Sequence, residues 1–331
     1  MAGGWVSDRL RGWCPGCWGR RPAAGAGARP AGAWLDVPVD PLLARLETFY
    51  DTVPRRGGAT EDHGPLRLFL PDPQAWPYYA RPAVPSAVVT PDDVLAVRAR
   101  QRELGLPEAL EWVHDLVPTL AEAAELTGLV VHRCPILVLD GEPADPPPGV
   151  VARLLGPDDD ELAMAEAIGS VGFGDGSGTR PGPPGTVQRD RAVSELSVPR
   201  LRRLRELIRD GAAARVVAAL DPPALDPAAL DPAAQPDAGP GTRADAVLRG
   251  PLASGGYQRA GDVVEVVGVA TLPVARRRGL GGAVAAALAR AALGAGADTV
   301  FLTAQDDAVA RVYERVGFRR VGTAGIAEPA S

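Results

Sequence analysis

Apolar positions along the chain recur with two different periods, and the two periods predict different elements. Short β-branched runs such as VVEVVGVATL at 263–272 are typical of buried strands, whereas apolar residues three and four apart indicate amphipathic helices. The predicted strands are 108–113, 129–139, 150–155, 214–220, 244–254, 262–272, 299–303 and 319–323. The predicted helices are 90–104, 117–127, 157–169, 198–209, 283–293 and 306–316. Because strands and helices are interspersed, the fold class is predicted to be α/β (α+β).

Glycine and proline separate these patterned segments from one another. The chain has 39 Gly and 34 Pro among 331 residues, and their excess is concentrated in a few segments. They predict a disordered leader at 1–35, a smaller N-terminal α/β domain at 36–141, a proline-rich linker at 142–149 and a second domain at 150–328. The second domain contains a low-complexity loop at 221–241. Its strands 244–254 and 262–272 are expected to be antiparallel and joined through Gly255-Gly256 and Gly261.

The composition excludes several classes of phosphate-handling protein. All 35 basic residues are arginine, since the chain has no lysine, and it has no asparagine either. A Walker A loop, a kinase-type strand lysine and a Schiff-base lysine are therefore absent. Any phosphate site must be built from arginine, glycine and backbone amides. The net charge of -6 gives no overall electrostatic signature of nucleic-acid binding.

Cysteine usage and hydropathy favour a reducing, cytoplasmic compartment. Cys14 and Cys17 form a CxxC, but it lies in the Gly/Pro-rich leader without strand signals, and no second CxxC completes a zinc site. Neither a redox centre nor a metal site is expected. No apolar run reaches the roughly 18 residues of a membrane span, and the N-terminus lacks the apolar core of a secretory signal.

The chemistry is concentrated between Val263 and Phe318. A buried strand ends at Pro273, an arginine- and glycine-rich turn follows, and an alanine-rich helix begins. The free N–H groups and the macrodipole of a helix N-terminus attract anions, and arginines add charge-assisted contacts. Gly279 and Gly281 are expected to let the backbone approach the anion closely. The turn is therefore predicted to bind a diphosphate. A dinucleotide-binding fold is disfavoured, because the turn is RxxGxG rather than GxGxxG.

Two motifs in this segment resemble the signatures of the GNAT superfamily of N-acetyltransferases. RRRGLG at 276–281 is similar to the acetyl-CoA signature, an Arg or Gln followed by x-x-Gly-x-Gly/Ala. RVYERVGF at 311–318 resembles the second signature, a helix with tyrosine that ends in Gly-Phe. Both signatures occur in order and at the usual separation, and the resemblance covers about 150–328. It implies a GNAT-like mixed, mostly antiparallel sheet flanked by helices.

The resemblance also implies roles for individual residues. Tyr313 is similar to the tyrosine that protonates the leaving CoA thiolate, and Glu265 lies where some members have a general base. The backbone amide near Val269 would polarise the thioester carbonyl. Asp306 stands where many members have asparagine, and a carboxylate, unlike an amide, cannot donate a hydrogen bond to CoA. The implied acetyl-CoA-binding residues are Val269, Ala270, Thr271, Arg276, Arg277, Arg278, Gly279, Leu280, Gly281, Gly282 and Asp306.

Each of these residues also has a simpler interpretation. The arginine triplet could be a solvated helix start or a nucleic-acid patch, Tyr313 could be a core residue, and Glu265 could face solvent from its strand. The complete signature favours phosphate binding for the arginines.

The N-terminal half carries a weak copy of the second signature. Without gaps, 110–129 aligns with 299–318, and both segments have a strand followed by A-x-x-x-E-x-x-G and a large apolar residue. Ala124 stands opposite Tyr313, and no RxxGxG precedes it. Two interpretations remain open: a degenerate, incomplete GNAT-like half, or chance similarity of two amphipathic helices.

The resemblance implies an acetyl-CoA-dependent N-acetyltransferase that acts by direct transfer to a primary amine. Acetyl-CoA is the expected co-substrate, and a small-molecule or peptide amine is the expected acceptor. We expect no nucleic-acid partner, no membrane partner, and a monomer or homodimer. The alternative is a non-catalytic acetyl-CoA sensor or regulatory module. A nucleic-acid-binding protein that uses the arginine triplet is less favoured because the net charge is negative. The identity of the acceptor is not encoded in any recognisable motif.

Overall fold

The computed structural model describes residues 40–71, 78–83, 88–174, 180–221, 248 and 250–330. The leader predicted at 1–35 and residues 222–241 of the low-complexity loop lie outside the described residues. The chain divides into two compact units. Of the described residues, 136–320 form the first unit, and 40–135 together with 321–330 form the second.

Strands and helices are interspersed along the described residues, as the sequence predicts. The helices are α1 Pro41–Thr52, α2 Pro91–Glu103, α3 Thr119–Leu126, α4 Leu162–Gly174, α5 Thr186–Ser194, α6 Val198–Arg209, α7 Leu280–Gly294 and α8 Asp307–Glu314. The strands are β1 Gly58–His63, β2 Leu66–Pro71, β3 Arg81–Pro82, β4 Leu110–Val113, β5 Leu129–Leu139, β6 Val150–Leu154, β7 Ala213–Leu220, β8 Ala253–Ala260, β9 Val263–Thr271, β10 Thr299–Thr303 and β11 Phe318–Pro329. The mixed α/β class is confirmed.

The first unit is built on a mostly antiparallel sheet. Its strand order is β5-β10-β9-β8-β7-β6, with β9 and β10 parallel and the remaining pairs antiparallel. Helix α7 packs across β6, β7, β8 and β9. Five of the eight buried residues of this helix are alanine, and their small side chains let the helix lie close to the strands. The core of the unit is the layer between α7 and the sheet.

Strand β8 differs from the prediction. Gly255 and Gly256, which were expected to form a turn after a strand at 244–254, lie inside a strand that begins only at Ala253. A Cβ at Gly255 would lie 2.8 Å from Cγ1 of Val284 in α7, and one at Gly256 would lie 2.6 Å from the backbone carbonyl oxygen of Ala214. Close packing therefore requires the two glycines, and the expectation of a turn there is wrong.

The second unit contains two sheets. One has the order β1-β2-β3, and the other has β4-β11-β5, to which β5 contributes residues 129–135 and β11 contributes 321–329. Within this unit the indole of Trp112 on β4 lies over Gly325 on β11, where a Cβ would be 2.4 Å from the ring. The missing side chain at Gly325 makes room for the largest buried residue of the unit.

The two aligned segments form the same series of elements. Strand, helix and strand follow one another as β4-α3-β5 and as β10-α8-β11, and β5 and β11 begin at aligned residues, 129 and 318. Strand β4 pairs antiparallel with β11 in the second unit, and β10 pairs antiparallel with β5 in the first. In each case a short strand pairs with the long strand of the other segment. This reciprocity favours a repeated unit over chance similarity.

The predicted linker packs against the first unit. The Ala144 N–H donates to the Val316 carbonyl at 2.8 Å. On α7, Nη2 of Arg290 donates to the Pro143 carbonyl and to Oδ1 of Asp145, each at 2.8 Å. The segment 140–149, here called the strap, therefore belongs to the first unit. The predicted division into 36–141 and 150–328 differs from the compact units and remains a prediction.

A membrane-spanning helix and a cluster of metal-ligating side chains are both absent from the described residues. None of their helices combines the length and apolarity needed to cross a membrane. The same residues contain no group of three or more His, Cys, Asp or Glu side chains arranged to hold a metal ion.

Candidate functional site

The parallel strands β9 and β10 stop pairing with each other before their carboxyl ends. Their register covers three residue pairs and ends with Phe301 beside Glu265. Beyond that pair β9 continues to Thr271 and β10 to Thr303, without further pairing between them. The facing edges of the two strands are therefore unpaired beyond Glu265 and Phe301, and we call this region the β9–β10 wedge.

A β-bulge in β9 lies beside this wedge. Ser254 pairs with Ala270 and Gly256 pairs with Val267, so Gly255 faces two residues of β9, Gly268 and Val269. Gly268 has φ +63°, a conformation that glycine adopts without strain. A bulge leaves backbone groups outside the regular ladder and redirects them. The bulge therefore makes the backbone near Val269 available for a ligand.

The turn that follows β9 has the geometry of an anion site. Residues Pro273–Ala275 form one turn of 3₁₀ helix, and α7 begins at Leu280. Arg277 has φ +68° and is the one non-glycine residue with positive φ among those described, while Gly279, the N-cap, has φ +81°. Gly279 offers no side chain to cap the first N–H groups of α7. Left-handed residues in such a turn direct successive N–H groups toward one side, where a phosphate fits.

The three arginines of the turn differ in their surroundings. Arg277 and Arg278 are exposed, so both are accessible to a solvated anion. Arg276 is half-buried, and its guanidinium donates to two backbone carbonyls, from Nη1 to Arg180 and from Nη2 to Gly172, each at 2.7 Å. The sequence motif gives no indication of these two contacts, because Gly172 and Arg180 lie about a hundred positions earlier in the chain.

The glycines of the turn meet different neighbours. A Cβ at Gly279 would lie 2.6 Å from Cγ of Pro147, so the missing side chain accommodates the strap. Pro147 of the strap therefore lies in the space beside Gly279 that the sequence predicts for a close approach of phosphate. A Cβ at Gly281 would lie 3.6 Å from Oγ1 of Thr271, an ordinary contact. Gly282 lies in the same first turn, and Leu280 is fully buried beneath it.

Glu265 lies at the closed end of the wedge. It is the last residue of β9 that pairs with β10, and only 4% of it is exposed. Its neighbours Val264 and Val266 belong to the core under α7, so the Glu265 side chain points to the other face of the sheet. The alternative of an acid facing bulk solvent is therefore wrong. The structure leaves the role of general base untested.

Tyr313 lies in α8 at the edge of the core. It is 9% exposed, and its ring meets Phe318 edge-on, with the centroids 6.2 Å apart. Burial raises the pKa of Tyr313 to about 12, so the hydroxyl stays protonated throughout the physiological pH range. Tyr313 is therefore a core residue, and it still carries a hydroxyl proton that it could donate.

Asp306 caps its own helix. Its Oδ1 accepts the N–H of Val309 at 2.8 Å, and the residue is exposed. Capping of α8 accounts for this carboxylate without a ligand. Its predicted contact to CoA remains untested.

A comparison with known protein families matches the segment that forms this site. Residues 256–324 match the family model described as FR47-like protein. This segment contains β9, the bulge, the turn, α7, β10 and α8. No curated protein matches the full sequence significantly.

Solved structures identify the fold. A GCN5-related N-acetyltransferase from Kribbella flavida superposes with a TM-score of 0.59 at 22% identity, over 88% of this chain and 96% of that one. A GCN5-related N-acetyltransferase from Sphaerobacter thermophilus and a tandem GNAT protein from the clavulanic acid biosynthesis pathway give lower TM-scores, 0.41 and 0.45. Both are 16% identical to this chain. The Sphaerobacter match covers 69% of this chain and 62% of that one, and the tandem GNAT match covers 80% of this chain and 78% of that one.

The described residues share the fold of GCN5-related N-acetyltransferases. The resemblance to the GNAT superfamily is confirmed by the family model over 256–324 and by the shared fold.

Proposed function

We propose that this protein is an acetyl-CoA-dependent N-acetyltransferase that transfers an acetyl group directly to a primary amine. The main support is the convergence of three features at the end of β9: the β9–β10 wedge, the bulge at Gly268–Val269 and the anion-binding turn before α7. An elongated thioester with a diphosphate at one end matches this series of features in chain order. The GNAT fold is consistent with it.

Backbone amides and the exposed arginines would hold the co-substrate. The N–H groups at the start of α7, with the side chains of Arg277 and Arg278, would bind the diphosphate. Val269, Ala270 and Thr271 would line the thioester end. Bound acetyl-CoA would supply an activated acetyl group in this place.

Three groups of the chain would serve the transfer. The N–H of Val269 donates to the carbonyl oxygen, which gains negative charge as the amine nitrogen bonds to the acetyl carbon. Glu265 accepts the proton that the nitrogen loses, through a water molecule. Tyr313 donates its hydroxyl proton to the sulfur as the carbon–sulfur bond breaks, and this hydroxyl is protonated at physiological pH. One proton leaves the amine and one reaches the sulfur, so the transfer is balanced.

We infer the partners from the same reasoning. The acceptor is a small-molecule or peptide amine, and the protein acts in the cytoplasm as a monomer or homodimer. The net charge of -6 argues against nucleic acid. Screening small amines, antibiotics and peptide N-termini would identify the acceptor, and light scattering would give the oligomeric state.

Calorimetry and a thiol-release assay test the proposal. We expect saturable acetyl-CoA binding and acetyl transfer or slow thioester hydrolysis. Tyr313→Phe should lower kcat by about 10²-fold and leave acetyl-CoA affinity unchanged, because general acid catalysis typically contributes at least that much.

A matched control is Tyr257→Phe, which removes a hydroxyl from another buried tyrosine of the same core. It should retain wild-type kcat. Absence of acetyl-CoA binding at millimolar concentration would reject the proposal. Binding without turnover across the amine panel would favour the sensor.

A further inference from the structure

Arg276 connects the anion-binding turn to a distant part of the chain. Its two terminal nitrogens donate to the carbonyls of Arg180 and Gly172, each at 2.7 Å. Gly172 lies in the last turn of α4, where carbonyls lack intrahelical partners and a cation is favoured by the helix dipole. A guanidinium can donate to the carbonyls of Gly172 and Arg180 at once because its donors form a rigid planar fork.

The segment after Arg180 runs beside the same turn. The Gly182 N–H donates to the Pro273 carbonyl at 3.2 Å, and the Val274 N–H donates to the Pro184 carbonyl at 3.1 Å. A Cβ at Gly185 would lie 2.9 Å from Cγ1 of Val274, so the two backbones are closely packed. Residues 180–185 are thus attached to the turn through backbone and side chain.

The end of α4 also contacts β9 beyond the bulge. A Cβ at Gly172 would lie 3.0 Å from Cβ of Ala270 and 3.3 Å from the Thr271 carbonyl oxygen. Ala270 and Thr271 are the residues proposed to line the thioester end. Gly172 and residues 180–185 therefore form a wall beside the transfer site, and we call it the α4 wall.

We propose that Arg276 is a positioning residue that couples diphosphate binding at the turn to the order of the α4 wall. This inference rests on the proposed function. A diphosphate held by Arg277, Arg278 and the backbone fixes the turn, and the Arg276 backbone is part of that turn. Its side chain then holds the carbonyls of Gly172 and Arg180 in one arrangement. By reciprocity, loosening the wall weakens diphosphate binding by the same factor.

This role differs from that of a phosphate ligand. A phosphate ligand contributes to affinity through charge, whereas a positioning residue contributes through its two directed hydrogen bonds to carbonyls. Arg276→Lys retains the charge but not the planar fork, and Arg276→Met retains the apolar stem alone. Arg278→Met is the matched control, because it removes an exposed arginine of the same turn.

Hydrogen exchange of the full-length protein tests the coupling, with CoA and pantetheine as probes. In the wild type, CoA should slow exchange at the end of α4 and at Gly182 at least 5-fold, and pantetheine, which lacks the diphosphate, should not. In Arg276→Lys and Arg276→Met this protection should be lost, and CoA affinity should fall by no more than the factor of protection lost, about 5-fold. Arg278→Met should lower CoA affinity at least 10-fold and keep the protection at saturating CoA.

Several outcomes would overturn the inference. Arg276 would be a phosphate ligand if Arg276→Met lowers CoA affinity as much as Arg278→Met does. In that case CoA binding would also depend less on salt, and hydrogen exchange of the α4 wall would not change. If Arg276→Met does not fold, Arg276→Lys decides, and retained protection in that variant refutes the coupling. CoA binding without any change in exchange refutes the coupling alone, whereas a wild type that does not bind CoA refutes the proposed function.

Discussion

Two glycines in the anion-binding turn lie two positions apart, yet their surroundings predict opposite effects of the same substitution. Gly279→Ala would place a methyl group at φ +81° and 2.6 Å from Pro147, and we expect a loss of about 1–3 kcal/mol in the free energy of unfolding. Gly281→Ala meets only Thr271 at 3.6 Å inside the first turn of α7 and should be neutral or stabilising by about 0.5–1 kcal/mol. Urea unfolding of both variants measures the difference. Equal stabilities would show that the strap does not confine the turn.

A buried carboxyl in the second unit predicts a pH-dependent stability. Glu111 lies near the ion pair between Nε of Arg81 and Oε1 of Glu47, which are 2.9 Å apart. Neither Oε1 of Glu111 nor Nη2 of Arg81 has a hydrogen-bond partner among the described residues. Burial, and to a smaller extent the negative charge of Glu47, raise the pKa of Glu111 to about 7, although Arg81 opposes the shift.

The sign of the effect follows from this raised pKa. The folded state holds the Glu111 proton up to about pH 7, whereas the unfolded chain loses it near pH 4.5. The free energy of unfolding should therefore fall as pH rises between these values, by roughly 3 kcal/mol. Glu111→Gln mimics the protonated form, so its stability relative to wild type should increase from pH 5 to pH 8. Urea unfolding at both pH values would contradict this if the difference between the two proteins stayed constant.

At the scale of elements, the approach of α7 to the sheet depends on a glycine in β8. Gly255→Ala would bring a methyl group within 2.8 Å of Val284 and 3.0 Å of Val269, and we expect a loss of about 1–3 kcal/mol from overpacking. Because Val269 lies in the bulge, acetyl-CoA affinity should fall as well. Gly169→Ala in α4 is the control, since nothing lies within 4 Å of its Cβ position, and it should stabilise by about 0.5–1 kcal/mol. Thermal unfolding and calorimetry of both variants check the pair.

Elements with a regular period were predictable from the sequence, and those shaped by distant contacts were not. Strand β5 and helix α6 have the predicted bounds, 129–139 and 198–209. Gly128 marks the start of the strand, and apolar residues recur at helical spacing in the helix. Strand β8 was mispredicted because Gly255-Gly256 carries a local turn signal, while the neighbours that demand glycine are the Val284 side chain and the Ala214 carbonyl. A glycine within a β-branched run often marks a bulge, and Gly268 offered that signal for the site.

The candidate site shows the same division. The anion-binding turn was predictable because its arginines, glycines and helix start are contiguous in the sequence. The contacts of Arg276 to Gly172 and Arg180, and of Gly279 to Pro147, were not, because no local pattern records which carbonyl or ring will lie beside a given residue.

At the scale of the whole molecule, the first unit requires residues that precede the predicted domain 150–328. Within this unit residues 136–138 of β5 pair with residues 301–303 of β10, and Leu137 is fully buried in the core. The strap 140–149 adds the hydrogen bonds of Ala144 and Arg290. A fragment of residues 150–328 would expose the edge of β10 and leave a cavity at Leu137.

A comparison of two fragments therefore tests the domain boundary. A fragment of residues 150–328 should unfold without cooperativity or aggregate, because it has an unpaired strand edge and lacks a core leucine. Loss of the leucine alone costs about 2–5 kcal/mol, which is a large part of the stability of a typical domain. A fragment of residues 129–328 retains β5 and the strap and should unfold at a higher urea concentration with a steeper transition. Circular dichroism and size-exclusion chromatography compare the two. If both unfold with the same midpoint and slope, β5 is dispensable and the boundary lies in the strap, as the proline-rich sequence alone would predict.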